Sequence, residues 1–393
     1  GECIGGFCHC PQGYWGMDCS RTTAWAPDPR SAPGVAARGG AGFKIYRYEL
    51  PWRYAFHVVG AEGGYAHDPL YAAYERFEAR LAADWEVRTE NPWGASLLYV
   101  PLLAHHYTSN TGDPSLRVER VMRYVARTYP QLFRRHRGRD HVVFLPGDYG
   151  ACPLMDFPVF QAPIKLVHFG LATTSKQVVP FGGTAYGPAY SCFNPRSDVA
   201  VPPLLHQEGV LARVRAAYDA LASPGTAPRR RWRLFFAGAV RREPGYSGGV
   251  RQAFHAMATA NATSYPDLRY GGNSEVDGAF ADFCLCPYGQ GWGSRLVLAV
   301  GHACIPVIIQ PGVHQPLATV LPYHEFALTL GLADVPGLME LLRSLPEARV
   351  AALRRGLAAH HASLLWQREL GGRAYDATLD ALRLVAANLT LAS

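Results

Sequence analysis

Residues 282–328, DFCLCPYGQGWGSRLVLAVGHACIPVIIQPGVHQPLATVLPYHEFAL, contain the reading that decides the fold. Phe283–Cys286 and Ile305–Ile309 are short apolar runs bounded by proline and glycine, which is how buried strands of a parallel sheet appear in sequence. Between them lie Gly289, Gly291 and Gly293 and then a helix opening at Ser294. A strand, a glycine-rich loop and a helix start bring free backbone N–H groups and the positive end of a helix dipole to one corner, which attracts anions. Arg295, on the first turn, adds a charge-assisted contact suited to a diphosphate. The loop has neither the lysine-serine pair of a P-loop nor the G-x-G-x-x-G of a dinucleotide fold, so both of those sites are excluded.

The alternation extends outward on both sides. Upstream, Phe43–Leu50 alternates as a strand and Tyr71–Ala83 repeats its apolar residues at helical spacing. Ser96–Pro101 reads as a buried strand, and Pro114–Phe133 as one amphipathic helix capped by Asp113. His141–Leu145 and Ile164–His168 are further buried strands. The stretch 222-ASPGTAPRR-230 breaks the pattern, and Trp232–Phe236 restarts it. A helix near Gly249–Ala260 follows, and helix resumes from Glu347 to the end. The expected fold class is α/β: two tandem doubly wound domains with a ligand site in the cleft between them, at the carboxyl ends of their strands. The expected divisions are 1–20, a cysteine-rich fragment; 21–42, a linker; 43–222 and 223–370, the two Rossmann-like domains; and 371–393, a helical tail.

Length and composition agree, since 393 residues exceed what one core usually serves. With 49% hydrophobic, 12% aromatic and 18% charged residues, a disordered chain is excluded. No run reaches the roughly 18 apolar residues of a membrane helix, and GECIGGFCHC is not a signal peptide, so the chain as given is expected to be soluble. Any membrane attachment is expected only through a segment upstream of residue 1. The net charge of +7 comes from 38 basic residues, of which only three are lysine, and the arginines are dispersed rather than striped. No nucleic-acid partner is expected.

Four of the nine cysteines, Cys3, Cys8, Cys10 and Cys19, fall in the first nineteen residues. A Cys-x-Cys step suits zinc badly, because a structural zinc site is built from two Cys-x2-4-Cys hooks. A disulfide reading places the chain in the secretory compartment or outside the cell. Asn261-Ala-Thr263 and Asn388-Leu-Thr390 are glycosylation acceptors consistent with it. In the body, Cys152 and Cys192 form the best pair, and Cys304 is expected to meet Cys284 or Cys286.

Two resemblances follow from these residues. The spacing of the four early cysteines, with Gly13, Tyr14 and Gly16 in the last loop, resembles the C-terminal two-thirds of an EGF-like module. That resemblance implies a Cys10–Cys19 bridge and partners for Cys3 and Cys8 before residue 1; a Cys3–Cys8 bridge is the alternative. The order F-C-L-x-P-x-G, S-R, A-C-I-P-V-I-I and L-P-Y-x-E-F-A-L resembles the C-terminal half of the exostosin-like glycosyltransferases, glycosyltransferase family 47. Phe43–Pro51, Arg88-Thr-Glu-Asn-Pro with Leu97–Pro101, and 235-FFAGAVR-241 resemble the family's other motifs, so the likeness runs from about residue 43 to 370. EGF-like caps on such proteins look like a green-algal arrangement. The family implies a GT-B fold and inverting transfer from a UDP-sugar to a cell-surface or cell-wall glycan or glycoprotein in the Golgi lumen, with the extracellular space or cell wall as the alternative location.

Under that reading Arg241, Gly291, Gly293, Ser294 and Arg295 are expected to bind the nucleotide sugar, with helix dipole and arginines neutralising the leaving diphosphate. Asp148 and His168, both at strand ends, are the candidates for the catalytic base. No metal is expected: there is no D-x-D, Asp84-Trp85-Glu86 and Glu275-Val276-Asp277 read as surface, and His105-His106 lacks a third ligand. The sequence departs from the family at two points. Leu298 stands where a glutamate would bind the nucleotide ribose, and Pro311 where an aspartate often follows the strand. A catalytically silent glycan-binding or structural protein on the same scaffold is therefore the alternative.

Overall fold

The computed structural model describes residues 2–4, 7–9, 14–15, 21–22, 42–50, 69–102, 115–172, 192–222, 230–243, 246–260 and 263–391. Near the start, β1 (Glu2–Ile4) pairs antiparallel with β2 (Phe7–His9), Cys3 opposite Cys8, and β3 (Tyr14–Trp15) pairs with β4 (Arg21–Thr22). Cys10, Cys19, His105, His106, Asp113 and Asn261 lie outside the described residues.

The first half is a six-stranded parallel sheet ordered β11-β9-β8-β7-β5-β6. Its strands are β5 (Ile45–Arg47), β6 (Arg88–Thr89), β7 (Leu97–Val100), β8 (His141–Leu145), β9 (Ile164–Val167) and β11 (Val199–Ala200). Strand side chains alternate between faces, and here both faces are apolar. Leu97, Tyr99, Val142 and Phe144 share one core with Phe77 and Leu81 of α1 (Ala73–Ala83). Leu98, Val100, Val143 and Leu145 share the other with Val118, Val121 and Val125 of α2 (Ser115–Thr128). The single helix expected over Pro114–Phe133 is two: α2 ends at Thr128, and Pro130, which has no N–H to donate, opens α3 (Pro130–Arg135).

The second half repeats the plan with a five-stranded parallel sheet ordered β13-β12-β14-β15-β17. It contains β12 (Trp232–Phe236), β13 (Leu268–Tyr270), β14 (Ala281–Pro287), β15 (Ile305–Ile309) and β17 (Leu328–Thr329). Leu234, Phe283 and Val307 pack on α5 (Val250–Ala260) and α8 (Leu338–Ser344), while Phe235, Cys284 and Ile308 face α6 (Arg295–Gly301). Two facing doubly wound parallel sheets make this the GT-B arrangement expected from the sequence. Cys152 bridges Cys192, and Cys284 rather than Cys286 bridges Cys304. Cys286 is a buried thiol, pushed up to about 12 chiefly by that burial.

Chain crossings join the halves. α4 (Glu208–Ala222) leaves the first sheet to pack on the second: Tyr218 Oη donates to Val300 O at 2.7 Å, and a Cβ on Gly301 would lie 2.6 Å from Val210. α9 (Glu347–His360) closes the second half, and α10 (Ala374–Leu391) returns to the first, where Tyr375 Oη donates to Asp84 Oδ2 at 3.0 Å. A two-stranded ladder ties the seam, with β10 (Gly170–Leu171) antiparallel to β16 (Val313–His314).

Candidate functional site

The carboxyl ends of β8, β12 and β14 open onto one cleft of about 480 Å3. From the first half it is lined by Leu70, Asp148 and Tyr149, and from the second by Arg241, Tyr246, Arg251, Gly289, Gln290, Trp292, Gly293, Ser294 and Arg295. Of the residues expected from the sequence, the structure therefore brings together Asp148, Arg241, Gly293, Ser294 and Arg295. Gly291, in the same loop, serves the contact between halves. Its φ is +94°, and a Cβ there would sit 2.0 Å from the Asp148 carbonyl oxygen, so only glycine admits this approach.

That loop is clamped to the first half through Trp292. Its backbone N–H donates to Asp148 O at 2.9 Å and its indole N–H to Pro146 O at 3.1 Å. The ring meets Tyr71 and His168 edge to face at 5.7 and 5.1 Å. Tyr71 in turn donates from its hydroxyl to Asp148 Oδ1 at 2.6 Å. The Asp148 carboxylate is thus oriented by the first half while its backbone is held by the second.

Three arginines give the cleft its charge. Arg251 is buried: Nε donates to Tyr288 O at 3.0 Å, and Nη1 to Ala239 O and Tyr246 Oη, both at 2.9 Å. Burial, with the positive charges of Arg295 and Arg241 nearby, pulls it down to about 10, so it remains a cation at neutral pH. Arg295 is likewise lowered, by burial first. Arg241 reaches across to Gln290 Oε1 at 3.2 Å and lies 5.4 Å over the Tyr246 ring. Like charges crowded into a partly desolvated space repel one another, and a polyanion relieves that cost. The helix contributes less than the sequence suggested. α6 is only seven residues long, and Ser294 has helical dihedrals with no side-chain bond to the turn it opens.

His168 stands behind this surface. It is 4% exposed, its Nδ1–H donates to Val201 O at 3.0 Å, and Nε2 has no partner in the described structure. Burial drops it to about 4, leaving it neutral. The Trp292 ring packs against it, and Asp148 is the candidate base that lines the cleft. Leu298 is 5% exposed and packs in the core, while Pro311 sits on an exposed turn; neither is among the cleft-lining residues. The two acidic pairs are elsewhere: Asp84 accepts from Tyr375 and Asp277 from Arg269. Among the described residues no group of three or more His, Cys, Asp or Glu could hold a metal.

Sequence reasoning missed Arg251, Tyr71 and Trp292. Arg251 carried one available signal: it follows Val250 at the opening of a helix whose buried face is Val250, Phe254 and Met257, where a charge needs a dedicated set of acceptors. The same turn holds Ser247, buried at φ +58°, a left-handed conformation that signals constraint beside the cleft.

A family model of the exostosin GT47 domain matches residues 39–345. The chain is 28% identical over 333 residues to a probable glucuronoxylan glucuronosyltransferase of Arabidopsis thaliana, covering 80% of this chain and 66% of that protein. It is 28% identical over 340 residues to a probable beta-1,4-xylosyltransferase of the same plant, covering 80% and 74%. Among solved structures, AviGT4, a glycosyltransferase involved in avilamycin A biosynthesis, aligns at 15% identity and a TM-score of 0.33, covering 88% of this chain and 98% of that one.

Proposed function

Because this chain belongs to the exostosin GT47 family, whose relatives are glycosyltransferases, we propose that it transfers a sugar with inversion from a UDP-sugar to a xylan-type glycan in the Golgi lumen. The observation that carries the reading is the meeting of Arg241, Arg251 and Arg295 with Asp148 in one cleft. The arginines receive the diphosphate. Asp148, aimed by Tyr71, takes the proton from an acceptor hydroxyl as that oxygen attacks the anomeric carbon. The bond to the diphosphate breaks on the opposite face, and UDP departs with its new charge held by guanidinium groups that need no reorganisation. Two disulfides among the described residues suit an oxidising lumen, and no described helix is long and apolar enough to cross a membrane.

The relatives' names divide between glucuronosyl and xylosyl transfer, so the test offers both donors. Purified protein is incubated with UDP-xylose or UDP-glucuronate and a xylo-oligosaccharide, and the product anomer is read by NMR. Inverted product is expected from one donor, with Asp148→Asn slower by about 10²–10⁴-fold. Leu298 favours a second reading, the silent scaffold, because a buried leucine offers the ribose no acceptor. No transfer from either donor, with glycan binding retained, would establish that reading instead.

A further inference from the structure

A second cavity of about 560 Å3 lies at the other end of the first sheet, where β5 and β7 begin. Its walls include Phe43, Trp93, Ser96, Arg135 and His136, and the Arg383–Leu389 end of α10. Strands of four or five residues put roughly 15 Å between this end of the sheet and the cleft. The cavity is a built site. Arg135 is locked by Asp140, which is fully buried, through Nε at 2.9 Å and Nη2 at 2.8 Å, while Nη1 donates to Pro92 O at 2.9 Å. Asp140 is fixed in turn by His141 Nδ1 at 2.9 Å, and His141 Nε2 by the Tyr48 hydroxyl at 2.8 Å. Asn91 Oδ1 accepts from Trp93 N at 3.0 Å and holds the turn that presents the indole.

Two N–H groups of wall residues have nothing to donate to among the described residues, Trp93 Nε1 and Arg383 Nε, both shielded by their neighbours, while Arg383 Nη1 pairs with Asp380 Oδ1 at 2.6 Å. A buried donor without an acceptor is unfavourable, so a ligand that draws either side chain toward its oxygen acceptors gains a hydrogen bond the protein alone does not make. Arg383 lies 5.2 Å over the Phe43 ring, Trp93 packs one side on the core, and no acidic side chain is among the described lining residues. An aromatic wall beside unpaired N–H donors and arginines matches a sugar: ring carbons pack on the indole, and hydroxyl or carboxylate oxygens accept.

We propose that this cavity is a second glycan-binding site, which holds a polysaccharide chain away from the cleft and raises the local concentration of acceptor ends. The inference rests on the reading that the acceptor is a glycan polymer. The probes are glucuronoxylan and neutral xylan in affinity electrophoresis, alongside UDP binding and transfer to a short xylo-oligosaccharide. Trp93→Ala and Arg383→Ala are expected to weaken retention by the polymers at least tenfold, with UDP affinity and short-acceptor turnover within twofold of the parent. Trp93→Phe, which keeps one aromatic ring in place of the indole and removes its N–H, separates loss of binding from loss of fold. A larger loss toward glucuronoxylan than toward xylan identifies uronate carboxylates as the partners of Arg383; equal losses identify hydroxyls. Unchanged polymer retention in all three variants, or no retention by the parent, overturns the second site. Retention with neither UDP binding nor transfer overturns the proposed activity and leaves the site standing.

Discussion

Gly291→Ala isolates the contact on which the cleft depends. The substitution forces an alanine into φ +94°, which costs an L-residue about 1–2 kcal/mol. It also places a methyl group 2.0 Å from the Asp148 carbonyl oxygen, against the 3.4 Å at which ordinary contact begins, so the loops must part by up to 1.4 Å along that line. The 2.9 Å bond from Trp292 N–H to Asp148 O does not survive such a movement, and its loss adds about 1 kcal/mol. A displacement of about 1 Å between reacting groups costs on the order of 10²-fold in rate. Gly271→Ala supplies the control: its φ is +82° and nothing lies within 4 Å of the added Cβ, so it carries the backbone strain alone. Urea unfolding and steady-state transfer are measured for both. Gly271→Ala is expected to lose about 1–2 kcal/mol and keep its rate; Gly291→Ala is expected to lose more and to fall about a hundredfold in kcat. Equal stability and equal rates in the two variants would refute the claim that this loop sets the geometry across the cleft.

Other expectations follow from single side chains. Tyr71→Phe removes the 2.6 Å bond that aims Asp148, and is expected to lower kcat about tenfold while UDP affinity in calorimetry stays unchanged. Leu298→Glu strands a charge in the core, and is expected to destabilise the fold by several kcal/mol in denaturant titrations rather than tighten UDP binding. His168 titrates near 4 in the fold, below the 6.5 of an unfolded histidine. As pH falls the unfolded chain binds the proton first, so stability present above pH 6.5 is lost toward pH 4, by up to about 3 kcal/mol from this group. His168→Gln is expected to flatten that part of the pH profile.

The sequence was most legible where burial is continuous. The strands at His141–Leu145, Trp232–Phe236 and Ile305–Ile309 match their expected bounds, because apolar runs covered on both faces tolerate little else. Cys152 and Cys192 could be paired in advance, since both flank one loop-rich insertion, but only the parallel register of β14 and β15 selects Cys284 over Cys286 for Cys304. The glycine-rich corner announced part of the cleft. The rest was hidden because its partners are remote in sequence: Arg251 is held by carbonyls 12 and 37 residues away, and Trp292 by one 146 residues away. No local pattern encodes such pairings. The exchange of α4 and α10 between the halves was hidden for the same reason, since an amphipathic helix reads alike whichever sheet it covers.

The most direct test of the central claim, that the cleft between the halves is the UDP site, is the stability of the protein in the presence of UDP. At a hundred times its dissociation constant, UDP is expected to add about 2.7 kcal/mol to the unfolding free energy. The Arg241→Ala, Arg295→Ala double variant is expected to lose that protection at the same concentration, since each charge-assisted contact is worth about 1.5–3 kcal/mol. Equal protection of the parent and the double variant, or no protection of the parent at any concentration, would contradict the account.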